Sequence, residues 1–107
     1  MKQIKLFDSR EKALENLIEN KPFTVSINGL KICLVRNNSG ISAFKSTCPH
    51  AGASLSEGFV NFNNEIVCPL HGYRFNIFDG SEKSGHSCEL FIYGLELRDD
   101  GLFITLR

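Results

Sequence analysis

The chain carries two short segments in which a histidine closely follows a cysteine, and these segments constrain how it can fold. The first is Cys48-Pro49-His50 and the second is Cys68-Pro69-Leu70-His71. Each offers one thiolate and one imidazole, which are side chains that bind zinc and iron–sulfur centres. Residues 51–67 connect the segments. A fold that uses all four side chains must therefore turn the chain back and close both loops around one metal site.

A shared iron–sulfur site has two rivals for this pattern. The histidines could be unrelated and satisfied locally, but the same chemistry occurs twice within a short span, which makes chance the weaker rival. A structural zinc site is the stronger one, because zinc accepts two cysteines and two histidines. Common zinc motifs pair cysteine with cysteine and histidine with histidine, whereas each segment here mixes them. The spacing favours iron–sulfur, although ligand type alone leaves zinc open.

A glycine lies just beyond each histidine, at Gly52 and Gly72. Without a Cβ atom, backbone N–H groups can approach a bound group closely at these positions. Inorganic sulfides need such donors, because buried anionic sulfur without hydrogen bonds is costly. The glycines are therefore consistent with a sulfide-containing centre.

The rest of the chain is a series of short strand-like segments separated by turns. Phe23, Val25 and Ile27 alternate with polar residues, and Asn28-Gly29 is a strong hairpin signal. One helix is predicted over 10–19. The other predicted strands lie at 30–36, 41–45, 58–62, 65–68, 74–77, 90–98 and 102–107, with loops at 46–57 and 68–73. This spacing predicts a small antiparallel all-β sandwich or barrel.

Length and composition narrow the range of functions. A chain of 107 residues predicts one domain over 1–107. Twelve basic residues balance twelve acidic ones without a Lys/Arg cluster, which argues against nucleic-acid binding. The N-terminus has no apolar signal segment, and no apolar run is long enough to span a bilayer. We therefore expect a cytoplasmic protein with no membrane association. Cys33 is expected to pack inside a strand, and Cys88 to be a structural thiol.

The two loops together resemble the paired-loop motif of Rieske-type ferredoxins. The likeness extends to Ala43-Phe44 before the first loop, Leu55-x-x-Gly58 after it and Phe75 after the second. It implies one [2Fe–2S] cluster, with Cys48 and Cys68 on one iron and His50 and His71 on the other. It also implies three small antiparallel sheets, one short helix near the N-terminus and an inserted two-loop cluster-binding tip within 46–78.

The sequence departs from the high-potential respiratory branch of that family. Ala53 and Leu70 occupy the positions of the branch's two disulfide-forming cysteines, while Tyr73 and Phe75 replace its serine and tyrosine hydroxyl donors. Fewer hydrogen bonds to sulfur stabilise the reduced cluster less. These differences predict a low-potential member of the family. The third loop, over 79–90, also lacks the usual proline.

The resemblance implies a one-electron carrier that passes electrons from a flavin reductase to an oxygenase-type acceptor. Independent catalysis is not expected, because a Rieske oxygenase also needs a mononuclear iron and only His86 remains to bind it. No catalytic residues are therefore assigned. Two alternatives remain: a small redox subunit of a larger reductase, such as assimilatory nitrite reductase, and a zinc-stabilised interaction module.

Overall fold

Antiparallel strand pairs make up most of the regular structure of the chain. The computed structural model describes residues 2–49, 52–70, 72–83 and 89–106. Within these ranges the elements are β1 (Lys2–Phe7), α1 (Arg10–Asn16), β2 (Phe23–Ile27), β3 (Leu30–Asn37), β4 (Gly40–Lys45), a 3-10 turn (Leu55–Glu57), β5 (Phe59–Val60), β6 (Glu65–Val67), β7 (Arg74–Asn76), β8 (Ile92–Arg98) and β9 (Gly101–Leu106). The prediction of an antiparallel all-β fold with one short helix near the N-terminus is confirmed.

The strands of the described ranges form three antiparallel groups, two of which are joined. The groups are β1-β9-β8, β8-β4-β3-β2 and β5-β6-β7. Strand β8 belongs to two of them, because its first residues pair with β4, at Ala43↔Tyr93 and Phe44↔Ile92, while Gly94–Arg98 pair with β9. One strand thus serves two neighbours along its length. The first two groups therefore merge into a six-stranded sheet, and β5-β6-β7 forms a separate three-stranded one.

The short helix has a defined cap at each end. Ser9 is the N-cap, and its Oγ accepts a hydrogen bond from a backbone N–H in the first turn at 3.1 Å. At the other end Arg36 donates from Nη1 to the carbonyl of Leu17 at 3.1 Å. The helix ends at Asn16, three residues before the predicted limit of 19. In the part of the chain that the structure describes, no helix is long and apolar enough to cross a membrane.

The six-stranded sheet separates two apolar cores. Along β3, Ile32 and Leu34 face one core while Cys33 and Val35 face the other, as expected from the two-residue period of a strand. We call the first the base core; its buried members are Ala13, Leu17, Ile32, Leu34, Ala43, Tyr93, Leu102, Ile104 and Leu106. We call the second the loop core; its buried members are Cys33, Val35, Phe44, Cys48, Leu55, Ile66, Cys68, Phe75, Ile77 and Leu90. Each fully buried aliphatic side chain contributes roughly 1.5–3 kcal/mol.

The two edges of the large sheet come together on the base side. Phe7 of β1 and Phe23 of β2 lie at opposite ends of the strand order, yet their ring centroids are 5.9 Å apart. The sheet therefore curls until its edges are in contact. Such curling covers edge strands that would otherwise be open to pairing with another chain.

Polar contacts attach the small sheet to the large one. Asn37 at the end of β3 donates from Nδ2 to Oδ1 of Asn64 at 2.7 Å. The carbonyl of Asn64 accepts the N–H of Ile77 at 2.9 Å, and Ser42 donates to the carbonyl of Ile77. The orientation of the small sheet, and of the loops that it carries, is fixed by these bonds together with the shared loop core.

Candidate metal centre

The first Cys/His loop is a compact turn closed by its own backbone. The N–H of Cys48 donates to the carbonyl of Ala53 at 2.8 Å, and the N–H of Gly52 donates to the carbonyl of Cys48 at 2.9 Å. Just outside this turn, Thr47 and Ser54 form an antiparallel bridge. The loop is therefore a small hairpin in which the cysteine occupies the first position.

The second loop repeats the same frame. The N–H of Cys68 donates to the carbonyl of Tyr73 at 2.8 Å, and the N–H of Gly72 donates to the carbonyl of Cys68 at 3.0 Å. Val67 and Arg74 pair across the antiparallel strands just outside it. In both loops a hydrogen bond links the cysteine to the residue five positions later. The backbone thus presents the two cysteines in equivalent positions, although the residues of the two loops differ.

The two glycines have a specific backbone role in these turns. Gly52 and Gly72 both have φ of 72°, in the left-handed region that glycine adopts without strain. A Cβ atom at either position would meet nothing within 4 Å, so the requirement is conformational rather than steric. Their own N–H groups donate to the cysteine carbonyls. The close approach expected from the sequence therefore serves to close each loop.

The cysteines of the two loops enter one apolar interior. Cys48 and Cys68 are each 1% exposed and both belong to the loop core. Phe44 and Phe75 are fully buried in the same core. A thiolate in such surroundings is costly unless a cation compensates its charge. Two buried cysteines held by matching loops fit a cationic iron–sulfur core, whose irons accept thiolate ligands.

Only half of the predicted ligand set lies in the described part of the chain. His50 and His71 fall outside the described residues, and so do Ala51 and the segment 84–88, which contains His86 and Cys88. Within the described ranges no group of three or more histidine, cysteine, aspartate or glutamate side chains is placed to hold a metal ion. The structure therefore brings Cys48 and Cys68 into one core, and the histidine positions stay predictions.

Comparison with known families decides how these loops are classified. The family model of the Rieske [2Fe-2S] domain matches residues 9–90. The chain belongs to the Rieske [2Fe-2S] domain family. This membership confirms the family resemblance and implies a [2Fe–2S] cluster. It does not support the zinc-stabilised module.

Individual relatives agree with the family match. This Rieske chain is 36% identical over 67 residues to the ferredoxin component of the naphthalene 1,2-dioxygenase/salicylate 5-hydroxylase systems of Ralstonia sp, a match that covers 63% of this chain and 64% of that protein. The match therefore spans slightly less than two thirds of the length of that curated relative.

Solved structures show the same fold. The ferredoxin of carbazole 1,9a-dioxygenase from Nocardioides aromaticivorans IC177 superimposes with a TM-score of 0.83 at 20% identity, over 100% of both chains. A putative NADH-dependent nitrite reductase small subunit from Mycobacterium tuberculosis gives a TM-score of 0.78 at 20% identity, over 97% of this chain and 96% of that one. At these identities the likeness establishes the Rieske fold alone.

Beside the first loop of the Rieske domain lies a groove that the sequence did not predict. It has a volume of about 540 Å³, and its walls include Cys48, Pro49 and the residues Glu89 to Phe91. The N–H of Leu90 donates to the carbonyl of Gly80 at 2.8 Å. Gly80 permits this close approach, because a Cβ atom there would overlap the carbonyl oxygen of Leu90. Sequence spacing alone gives no signal for such a contact between distant residues.

The remaining described cysteine is an inert thiol. Cys33 is fully buried on β3, as predicted, and burial raises its pKa to about 12, an effect only partly opposed by a backbone hydrogen bond at Phe23. A thiol that stays protonated neither binds metal readily nor reacts as a nucleophile. Cys33 is therefore part of the packing of the loop core.

Proposed function

We propose that this Rieske domain is a one-electron carrier with one [2Fe–2S] cluster bound by Cys48, His50, Cys68 and His71. The cysteines bind one iron and the histidines the other. The observation that supports this most directly is the matching backbone frame of the two loops, which buries both cysteines in one core. Family membership supports the cluster type. A single domain over 1–107, with its cluster-binding part at 46–78, is part of the same proposal.

The chemistry of the proposed ligand set suits electron transfer. A bound Rieske cluster supplies a one-electron couple at a higher potential than a four-cysteine cluster, because imidazole ligands replace two negative thiolates. The loop core surrounds Cys48 and Cys68 with apolar side chains and limits access of water on that side. We assign no catalytic residue, so the chain would act as a component of a larger redox system.

We propose an oxygenase as acceptor and a flavoprotein reductase as donor. The curated relative is named as the ferredoxin component of dioxygenase and hydroxylase systems, which supports the oxygenase. Leu70 in the second loop is 56% exposed and Phe91 beside the first loop is 40% exposed. Exposed apolar side chains of this kind are suited to a protein contact. The cytoplasmic location and the absence of nucleic-acid and membrane partners stay predictions.

A second candidate is a small redox subunit held within a larger reductase. The observation in its favour is the overlap with a putative nitrite reductase small subunit over 97% of this chain. Both candidates use the same cluster and differ in whether the protein diffuses between partners. Affinity purification of the tagged protein from its own cells separates them, because a fixed subunit brings a large partner at equal stoichiometry.

The cofactor itself is tested on protein prepared without oxygen. We expect about two irons and two acid-labile sulfides per chain, with a Rieske-type EPR signal that appears after reduction by dithionite. Colourless protein containing stoichiometric zinc would contradict the proposal. Transfer is then tested by mixing the reduced protein with a Rieske oxygenase and following reoxidation of the cluster.

A further inference from the structure

A buried carboxylate lies at the base of the second cluster loop. Glu65 begins β6, three residues before Cys68, and it is 5% exposed. Asn61 donates from Nδ2 to Oε1 of Glu65 at 2.8 Å, and the Oδ1 of Asn61 accepts the Glu65 N–H at 3.1 Å. Asn61 thus fixes the position of Glu65 but brings no charge to balance the carboxylate.

The balancing charge comes from Arg74 on the neighbouring strand. Its Nη1 lies 3.8 Å from Oε1 of Glu65. Arg74 is the first residue of β7 and pairs with Val67 across the sheet, so the ion pair spans the two strands that carry the Cys68–Tyr73 turn. Arg74 also donates from Nη2 to the carbonyl of Lys83 at 3.3 Å, and its own carbonyl accepts the Lys83 N–H at 2.8 Å.

This arrangement places a pair of opposite charges close to the proposed site of electron uptake. Three residues of extended strand separate Glu65 from Cys68, a distance of roughly 10 Å. Partly buried charges at such a distance are less screened by salt than surface charges. Since reduction adds one negative charge to the cluster, a nearby carboxylate opposes it and a nearby guanidinium favours it. The effect on the cluster therefore depends on whether the Glu65 charge is balanced.

We propose that Arg74 is a positioning residue that neutralises Glu65 and thereby helps to set the reduction potential of the cluster. The inference rests on the proposed ligand role of Cys68. It goes beyond a structural role for the ion pair, because it predicts effects of opposite sign for its two partners. Arg74→Ala leaves the carboxylate unbalanced and lowers the potential. Glu65→Gln removes the negative charge, keeps an oxygen for Asn61, and raises the potential.

The test is voltammetry of the holoproteins at one fixed pH and ionic strength. At a fixed applied potential we expect the ratio of reduced to oxidised cluster to fall at least threefold in Arg74→Ala and to rise at least threefold in Glu65→Gln. At 59 mV per tenfold change, threefold corresponds to about 28 mV. Arg74→Lys keeps the charge and should remain within twofold of the wild type.

Arg98 provides a matched control. Its side chain is 41% exposed against 43% for Arg74, and it lies 3.7 Å from Glu96 and 3.5 Å from Asp100. It belongs to the far end of β8, six residues beyond Ile92. Arg98→Ala therefore removes comparable ion pairs at a distance from the loops, and we expect an unchanged potential.

The outcomes separate this inference from the proposed function. Shifts of the same sign in Arg74→Ala and Glu65→Gln, or no shift in either, would overturn the inference while a normal wild-type cluster spectrum leaves the carrier function standing. If Arg74→Ala does not retain its cluster, the Glu65→Gln and Arg74→Lys potentials decide the question. A wild-type protein without a [2Fe–2S] spectrum would overturn both proposals.

Discussion

Gly58 lies directly against the carbonyl group of Val67, so closely that a Cβ atom at position 58 would overlap the carbonyl oxygen. Val67 immediately precedes Cys68, and the chain that follows the first loop therefore supports the second loop from beneath. The backbone φ of Gly58 is −85°, which any residue can adopt, so the requirement for glycine is steric.

We therefore expect Gly58→Ala to displace the second loop. Overpacking of this kind costs about 1–3 kcal/mol. The midpoint of thermal unfolding should fall by roughly 10 °C in a domain of this size, and the EPR signal of the reduced protein should change. The control is Gly94→Ala on β8, where a Cβ atom would make an ordinary 3.7 Å contact with Thr105. Equal stability of the two variants would show that the contact at Gly58 can be relieved.

The ligand assignment predicts which substitutions abolish the cluster. Cys48→Ser, Cys68→Ser, His50→Ala and His71→Ala should each lose or severely destabilise it, whereas Cys33→Ala, Cys88→Ala and His86→Ala should retain it. Iron and sulfide analysis with visible spectroscopy measures the outcome. A colourless Cys88→Ala protein beside a coloured Cys68→Ser protein would show that the assignment is wrong.

The buried Cys33 predicts a loss of stability at alkaline pH. Its pKa is about 12 in the folded protein against 9.0 as the ordinary value. The folded state therefore holds this proton more tightly, and the resulting stability is fully present below pH 9 and is lost as the pH rises towards 12. The slope is at most about 1.4 kcal/mol per pH unit. Urea unfolding of wild type and Cys33→Ala on both sides of pH 9 should show this slope only in the wild type.

The exposed side chain of Leu70 predicts the face used by redox partners. Leu70→Asp should slow electron transfer to the partner while the spectrum of the cluster stays the same, because the substitution alters only a surface contact. Stopped-flow mixing at several partner concentrations measures the rate. Phe62→Asp is the control, since Phe62 is fully exposed in the turn between β5 and β6, at the end of β6 away from Cys68. Similar rates for Leu70→Asp and the wild type would exclude this face.

The side chains near the cluster predict a low reduction potential. Phe75 is fully buried in the same core as Cys48 and Cys68 and has no hydroxyl group to offer to sulfur. We expect a potential of roughly −150 mV, at the low end of the Rieske range. Phe75→Tyr should raise it if the new hydroxyl reaches a ligand sulfur. A wild-type value above about +100 mV would contradict the predicted low-potential carrier.

Local signals in the sequence predicted the features that depend on neighbouring residues. The Asn28-Gly29 hairpin is present, with φ of 51° and 82° at its two residues, because a two-residue turn of this kind needs positive φ at both positions. The Ser9 cap and the two Cys/His loops were likewise recognisable from short motifs.

Features that depend on distant partners were not predicted. Strand β1 forms by pairing with β9 at the other end of the chain, at Lys2↔Leu106 for example, and no local pattern announced it. The predicted strand over 58–62 shortens to Phe59–Val60, because Asn61 begins the turn that leads to Glu65. The charge pair of Glu65 and Arg74 is equally invisible in the sequence, since it forms only across β6 and β7.

The division of the interior into two cores has a consequence for how the protein matures. Among the described residues, the base core draws no buried side chain from 46–78, whereas the loop core contains Cys48 and Cys68. We expect the polypeptide to complete its base before iron is delivered, and the two loops to remain receptive until then. Cofactor insertion would then be the final step of folding, performed on a scaffold that already has its shape.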